Sequence, residues 1–378
     1  MTQKLIQSFL FLLLITYFAH EAYSVESTFI SQSSLLLYLL ISGFYLIKTL
    51  LLKEKNHFYK SWTALFLLNV FGYIVTGNYS ENFAMFAGVL MSLLTFYPFY
   101  YFARKNILTS NHLVYFFLIM LPITIFLFIS NKDFLLIERG TDNLVNNVSY
   151  NFVNLIPFVF LIRKRKLLAL VSMLLLILFI IQGAKRGAII TGFIGLIIFI
   201  FYQLRTIDKQ HRRRSYILSF IGIVILIYFS YNFYMNNEFL INRMKDMIES
   251  GGSNRDIIYK DIWEGWYNSK NPNQHLFGFG FAGSQRLTGG MYAHNDWLEL
   301  LSNFGALGVS IYFILFYSSY KLIRSSEWGE VDKRLLMLTV VSIWFIITLF
   351  SMGYTDINGY LRAIILAYLI GSKKKSIV

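Results

Sequence analysis

Apolar runs recur along nearly the whole chain and are separated by short polar segments. Several runs approach the roughly 20 residues that a helix needs to cross a bilayer. The first run resembles a signal peptide, but no good cleavage site follows it, so we interpret it as an uncleaved span. The pattern predicts twelve membrane-spanning helices, near 5–23, 33–52, 61–77, 82–102, 112–130, 149–162, 167–182, 187–204, 216–235, 297–320, 335–353 and 357–371.

Composition points to the same class of protein. Of the 378 residues, 56% are hydrophobic and only 14% are charged, whereas soluble domains carry roughly 25% charged residues. The absence of cysteine excludes disulfides and thiolate metal sites. The net charge of +14 is more typical of cytoplasmic loops in a membrane protein than of nucleic-acid binding. We therefore expect an all-α, polytopic integral membrane protein.

The placement of Lys and Arg predicts the orientation. Cytoplasmic loops retain these residues, and most of the 34 fall on one side when the N-terminus is placed in the cytoplasm. Both termini are then cytoplasmic, in a single membrane domain. It consists of a bundle over 1–235, a large extracytoplasmic loop over 236–296 and a second bundle over 297–378.

Several basic residues fall on the opposite, outward side. Lys185 and Arg186 lie in a predicted outer turn, and the large loop holds Arg243, Lys245, Arg255, Lys260 and Arg286. Such residues can snorkel to lipid headgroups. They can also form an anion site, because Arg donates bidentately to phosphate. Their number on the disfavoured side favours a phosphorylated ligand.

The large loop contains Gly278, Gly280 and Gly283 in a G-x-G-x-x-G spacing. We reject a dinucleotide site, because no strand precedes the motif, no βαβ unit follows, and no acidic ribose partner stands about 20 residues on. Flexible turns explain the glycines. The alternative is a nest of backbone N–H groups at Gly278 and Gly280 that helps to hold a pyrophosphate.

Two packing features are predicted around this loop. One is an amphipathic helix along the membrane interface, and the other is a stripe of small residues that lets a second helix approach closely. The amphipathic helix carries the aromatic residues Trp263, Trp266 and Tyr267. The stripe of small residues consists of Ser302, Ala306 and Ser310.

His294 stands where the long polar loop re-enters the apolar sequence, and titratable groups at a membrane boundary are functional candidates. A histidine at a helix start can be an ordinary polar cap. Its pKa also suits a general base, and Asp296 or Glu299 could orient it. Asn295 and Glu299 share a helix face at i, i+4. One imidazole with two carboxylates does not favour a metal site.

Three segments in order along the chain resemble the O-antigen polymerase and O-antigen ligase family of bacterial membrane glycosyltransferases. The resemblance covers roughly residues 140–320. The family commonly has Ser where this chain has Lys185. The segments are Gly183–Ala188, Arg255 to Trp263 continuing to Pro272 and Leu276–Gly280, and His294–Leu298 with Gly305–Gly308.

The resemblance implies a helical membrane fold related to the GT-C glycosyltransferases and a glycan donor carried on undecaprenyl pyrophosphate. It implies that Arg186 and Arg255 hold the pyrophosphate. His294 would take the proton of the acceptor hydroxyl, giving inversion without a metal or other cofactor. We further expect Lys185, Asn295, Glu299, Arg286, Gly278 and Gly280 to contact substrate.

We therefore predict a polymerase that joins lipid-linked repeat units of an O-antigen or capsule at the outer face of the bacterial cytoplasmic membrane. The first alternative is the ligase that moves the finished glycan onto lipid A–core. A flippase or other transporter predicts charges buried mid-span and two related halves, and a structural protein needs no His294 chemistry. Expected partners are the lipid-linked oligosaccharide, membrane lipids and a chain-length regulator, but no nucleic acid.

Overall fold

The computed structural model describes residues 2–23, 28–52, 56–139, 145–162, 165–206, 255–325 and 331–372, with scattered positions between 207 and 254. The chain also contains a π-helical segment, Leu90–Leu94, and a 3-10 turn, Ile357–Gly359. All the regular elements in these residues are helical, so the all-α prediction is confirmed for the described part of the chain. The α-helices are α1 (Thr2–Tyr23), α2 (Phe29–Leu50), α3 (His57–Thr76), α4 (Tyr79–Val89), α5 (Phe96–Arg104), α6 (Ser110–Arg139), α7 (Ser149–Val159), α8 (Lys166–Gln182), α9 (Arg186–Thr206), α10 (Arg255–Tyr267), α11 (Pro272–Phe277), α12 (Gly283–Thr288), α13 (Asp296–Arg324), α14 (Val331–Phe350) and α15 (Tyr360–Gly371).

Eight helices in the described residues are long and apolar enough to cross a membrane, counting α4 to α5 as one continuous helix. The others are α1, α2, α3, α6, α9, α13 and α14. Every predicted span except the ninth coincides with a described helix, but α7, α8 and α15 are shorter than the rest. Half of the residues in the ninth predicted span, 216–235, lie outside the described residues. The chain is therefore a multi-pass membrane protein by helix length and composition.

Helices α7 and α15, the shortest of the three short predicted spans, are enclosed by other helices. Every residue of both is buried, and α15 packs most extensively against α5. A helix that is apolar on all sides is stable when other helices surround it. Enclosure explains why these two segments are predominantly apolar yet shorter than a bilayer-spanning helix.

Helix α13 is sharply bent at Gly305, whose backbone angles are φ 60° and ψ −152°. The Tyr312 hydroxyl donates to Asp296 Oδ2 at 2.6 Å, and the Trp297 and Tyr312 rings lie 5.2 Å apart. In a straight helix, residues sixteen apart would be separated by about 24 Å along the axis. The helix at the predicted span 297–320 therefore consists of two arms that fold toward each other.

The bend also changes the stripe of small residues. Ser302 is buried, whereas Ala306 and Ser310 are exposed. Because Ser302 and Ala306 lie on different arms, the i, i+4 spacing no longer places them on one face. The prediction of a continuous packing stripe is wrong for this reason.

The large loop before α13 contains the short helices α10, α11 and α12. On α10, Ile258 and Ile262 are buried and pack with Ala293, which joins the helix to the segment that enters α13. Trp263 and Tyr267 are 51% and 65% exposed. The predicted helix is thus present, with Ile258 and Ile262 toward the protein and Trp263 and Tyr267 exposed, whereas Trp266 is partly buried and donates to the His275 carbonyl. Its position along the membrane interface stays a prediction.

Candidate active site

A cavity of about 520 Å³ opens among the ends of several helices. Its walls come from α1, α4, α6, α7, the turn before α9, the loop before α13 and the loop between α14 and α15. Pockets of this size are typical of small-molecule sites. Its polar lining includes Glu21, Asn147, Asn151, Lys185, His294 and Asp356.

Lys185 reaches this cavity because the turn before α9 is locked against the start of α7. Ala184 has a positive φ of 52°, and a Cβ on Gly183 would lie 1.7 Å from Ser149 Oγ. The Asn146 N–H donates to the Gly183 carbonyl at 3.0 Å. Lys185 Nζ then donates to Asn147 Oδ1 at 2.8 Å. The ammonium group is therefore held at the cavity wall rather than extended toward lipid.

Arg186 starts α9 and is partly buried. It is not among the residues that line the cavity. Its neighbour Gly187 packs so closely that a Cβ would lie 2.3 Å from the Tyr150 hydroxyl. Of the two basic residues predicted here, Lys185 is the one that the structure brings to the cavity.

Arg255 starts α10, and its Nη1 donates to the Phe350 carbonyl at 3.0 Å. Phe350 ends α14, where carbonyl groups lack partners within the helix and favour positive charge. Arg255 therefore caps α14 just before the segment Ser351–Asn358, which forms part of the cavity wall. It is also close enough to His294 to interact electrostatically.

His294 lines the cavity in a left-handed backbone conformation, with φ 51°. Partial burial lowers the pKa of His294 below its usual value of 6.5, and the positive charges of Arg255 and Lys185 lower it further. The neutral imidazole is thus the main form at neutral pH, and a neutral imidazole can accept a proton. The interactions with Arg255 and Lys185 link the three predicted segments at one place.

The cap of α13 is Asn295, not His294. Asn295 Oδ1 accepts from the Trp297 and Leu298 N–H groups at 2.9 and 3.2 Å, as an N-cap side chain does. Asn295 Nδ2 donates to the Leu349 carbonyl at 3.3 Å. The interpretation of His294 as the polar cap is therefore wrong, and Asn295 holds the backbone next to it.

Neither predicted carboxylate orients the imidazole directly. Glu299 is fully buried and accepts from the Ser284 hydroxyl at 2.8 Å and the Ala293 N–H at 3.1 Å. Asp296 is fully buried as well and accepts from the Tyr312 hydroxyl and the Gly353 N–H. Glu299 thus fixes the residue before His294, and Asp296 ties α13 to the loop after α14.

The glycine loop, which we define as residues 278–286, closes the bend of α13. The N–H groups of Phe279 and Gly280 donate to the Ser302 and Asn303 carbonyls at 2.7 and 3.0 Å, which the bend leaves without helical partners. The Gly278 N–H donates to the Gln274 carbonyl. Since these donors are used within the protein, the alternative of a pyrophosphate nest at Gly278 and Gly280 is wrong.

Arg286 belongs to the same loop and has an internal partner. Its Nη2 donates to the Phe281 carbonyl at 2.9 Å. A Cβ on Gly280 would lie 3.2 Å from this nitrogen and 2.8 Å from Thr76 Oγ1. Gly278, Gly280, Arg286 and Glu299 are therefore placed around the bend of α13, and none of them lines the cavity.

Sequence reasoning missed two carboxylates of the cavity, Glu21 and Asp356. Burial raises the pKa of Asp356, although its hydrogen bond from the Asn358 N–H and the charge of Arg362 lower it. Each is a single carboxylate at the edge of an apolar segment. That position is the sequence feature that could have marked it as a functional candidate. Only the fold shows that these two distant positions meet.

The described residues contain no group of three or more His, Asp or Glu side chains that could hold a metal ion; metal-independent chemistry remains a prediction. No protein-family model matches the chain, and no curated protein is significantly similar to it.

Proposed function

We propose that this protein is a glycosyltransferase that polymerises lipid-linked oligosaccharide repeat units of an O-antigen or capsule. The observation that carries the proposal is that Lys185 and His294 line one cavity, while Arg255 lies behind its wall and acts electrostatically on His294. These residues come from three segments that are far apart in the sequence, and the pKa of His294 is lowered beside the two cations. A base next to fixed cations is suited to displacing an anionic leaving group.

In the proposed reaction, the diphosphate of an undecaprenyl-pyrophosphate-linked glycan lies against Lys185 and Arg255. The neutral imidazole of His294 accepts the proton of the acceptor hydroxyl while its oxygen attacks the anomeric carbon of the donor sugar. The bond between that carbon and the diphosphate oxygen breaks, with inversion. The electron pair remains on the diphosphate, where Lys185 and Arg255 stabilise the charge, and the imidazolium then releases its proton to water.

Within this proposal, we assign the roles according to the contacts that each side chain makes. At the cavity, Lys185 takes the role that the resemblance gives to Arg186. Arg186 is the next residue along the chain and contributes positive charge without lining the cavity. Asn295 and Glu299 position His294 through the backbone. Gly278, Gly280 and Arg286 act by closing the bend of α13, since their donors have internal partners.

The proposal includes the finer architecture and location. We propose twelve spans in a GT-C-like arrangement, with both termini in the cytoplasm and the cavity facing outward from the bacterial cytoplasmic membrane. The distribution of Lys and Arg supports this orientation. The partners would be the lipid-linked oligosaccharide, membrane lipids and a chain-length regulator.

Gel separation of surface glycan tests the function. Cells lacking the protein would be complemented with the wild type, with His294→Ala, or with His57→Ala as the control, because His57 is exposed and lies outside the cavity. We expect single repeat units in the null strain, and a ladder restored by the wild type and by His57→Ala but not by His294→Ala.

Other patterns on the same gel would contradict the proposal. Polymer that stays on the lipid carrier, with bare core at the surface, would indicate a ligase. Loss of all lipid-linked glycan from the outer face would indicate a flippase. A ladder unchanged in the null strain, with no redundant enzyme, would exclude all three functions.

A further inference from the structure

The cavity has a second, acidic side that the proposed transfer step does not use. Glu21, Asp356 and Asn358 line it; we call them the acidic wall. The Phe18 ring stacks on Tyr360 at 4.6 Å, which places the end of α1 beside the start of α15. Glu21 is three residues beyond Phe18, and Asp356 is four residues before Tyr360. The two carboxylates therefore belong to the same side.

The basic residues interact with His294 and define the opposite side. The side chains whose charges act on His294 are Arg255 and Lys185, and neither carboxylate is among them. Tyr150 lies between the two sides, because it interacts electrostatically with both Arg255 and Asp356. The cavity wall thus contains both basic and acidic side chains.

Tyr150 supplies an independent indication of a ligand. Its side chain lines the cavity and is only 7% exposed. The hydroxyl lies close to Gly187 and makes no hydrogen bond of standard geometry among the described residues, although the Ser351 side chain acts on it as a hydrogen-bonding neighbour. A buried hydroxyl without a partner is costly, so a bound polar group would satisfy it.

We propose that the acidic wall, with Tyr150, is the subsite that binds hydroxyl groups of the sugar at the reacting end of the lipid-linked substrate. This inference rests on the proposed function and adds the recognition of the sugar to it. Ionised carboxylates only accept hydrogen bonds, which suits sugar hydroxyls as donors. Bonds to a charged acceptor are also stronger than neutral ones.

Neutral hydroxyl groups fit this wall better than a cation does. Arg362 is buried and its charge acts on Asp356, so part of the negative charge is already compensated. Asp356 Oδ1 also accepts from the Asn358 N–H and Nδ2 at 3.0 and 3.2 Å. The wall therefore consists of oriented acceptors rather than an unbalanced pair of charges that would attract a metal ion.

The test compares two ligands that differ only in the sugar. Undecaprenyl diphosphate and the lipid-linked repeat unit extracted from cells lacking this protein would be titrated against the purified full-length protein in nanodiscs. In Glu21→Gln, we expect the Kd for the repeat unit to rise about tenfold, the effect of losing one charged hydrogen bond. The Kd for undecaprenyl diphosphate should stay unchanged.

Two further variants make the comparison specific. Arg255→Gln should weaken both ligands, because the diphosphate is common to them. Glu81→Gln, at an exposed carboxylate outside the cavity, should weaken neither. If Glu21→Gln does not fold, Tyr150→Phe removes one hydroxyl and provides the same comparison.

Equal loss for both ligands in Glu21→Gln, or no loss for either, would overturn the subsite while leaving the proposed function intact. Failure of the wild type to bind undecaprenyl diphosphate would overturn the proposed function itself. A selective loss for the repeat unit would support the acidic wall as the sugar subsite.

Discussion

The cavity wall around Lys185 and His294 and the glycine loop around Arg286 look alike in the sequence but differ in the structure. Both combine basic residues with glycines in segments that the sequence predicts to face outward. At the cavity, the lysine and the imidazole line open space. In the glycine loop, the arginine and the backbone donors point inward, to Phe281, Ser302 and Asn303.

The difference arises from the bend of α13. A bent helix leaves carbonyl groups without partners, and a buried carbonyl without a partner is costly. The glycine loop satisfies them, and only glycine allows the backbones to come so close. A cation or a glycine therefore indicates a ligand site only when its donors are not needed by the fold.

The largest effect is expected from filling the contact between the glycine loop and the bend. Gly278 has φ 70°, and a Cβ there would lie 2.5 Å from backbone atoms of Asn303 and Phe304. Gly278→Ala should destabilise the protein by about 3 kcal/mol or more, from the left-handed backbone and overpacking. Size-exclusion chromatography after heating in detergent would measure the loss of folded protein.

Gly289→Ala is the matched control. Gly289 also has a positive φ, 69° with ψ 36° against ψ −161° at Gly278, and nothing lies within 4 Å of a Cβ added to Gly289. It should cost only the backbone strain, about 1–2 kcal/mol. Equal stability of the two variants would show that the close approach at Gly278 is not important.

A pair of arginines tests the comparison through activity. Arg255→Gln should lower the transfer rate about 100-fold, the typical effect of removing one donor that stabilises developing charge. Arg286→Gln should leave the rate per folded molecule near that of the wild type, because its guanidinium serves the glycine loop. Product formation from the lipid-linked repeat unit, normalised to folded protein, would measure both.

The opposite ranking of the two arginines would contradict our assignment of the sites. A large loss in Arg286→Gln with normal folding would place the ligand at the glycine loop. A small loss in Arg255→Gln would leave that residue only its role in capping α14.

Much of the fold could be predicted from the sequence, because the length and polarity of apolar runs reflect the bilayer. The bend at Gly305 could not. The run 297–320 satisfies the length rule whether it is straight or bent, and a glycine alone does not fix its own φ. The contact of Asp296 with Tyr312 appears only when the two arms are packed.

The candidate site was partly predictable for a similar reason. Lys185, Arg255 and His294 stand out because charge is unfavourable on the outer side of a membrane boundary. Glu21, Tyr150 and Asp356 do not stand out, since their role depends on neighbours from distant helices. The roles of Glu299 and Arg286 were misjudged because the sequence does not show which polar groups are satisfied internally.

A smaller effect is expected at the helix cap beside His294. Asn295→Ala removes the acceptor for the Trp297 and Leu298 N–H groups and should destabilise the protein by about 1 kcal/mol. The rate should fall as well, because the cap fixes the backbone next to the imidazole. Asn295→Asp retains an acceptor and should restore stability in the same heating assay.

Asn271→Ala is the counterpart beside the glycine loop. Asn271 caps α11 by accepting from the Asn273 N–H at 3.0 Å. Its loss should lower stability alone and leave the rate per folded molecule unchanged. A rate loss as large as that of Asn295→Ala would show that the effect is general rather than local to His294.

The smallest effect is a shift in the pH profile of the transfer rate. Burial, with Arg255 and Lys185 nearby, lowers the pKa of His294 below 6.5. The base is active when neutral, so kcat/KM should fall as the pH drops through this lowered pKa. Lys185→Gln removes one positive charge and should raise the pKa, so that the acidic limb moves to higher pH.

Arg286→Gln provides the control for this shift, because Arg286 is not among the groups that act on the His294 pKa. Its acidic limb should coincide with that of the wild type when kcat/KM is measured between about pH 4.5 and 8. A limb that does not move in Lys185→Gln would mean that another group accepts the proton. Asp356 is the next candidate, since it lines the same cavity and burial raises its pKa. In that case Asp356→Asn would abolish the acidic limb, whereas His294→Ala would retain it. The two variants therefore show whether His294 or Asp356 accepts the proton.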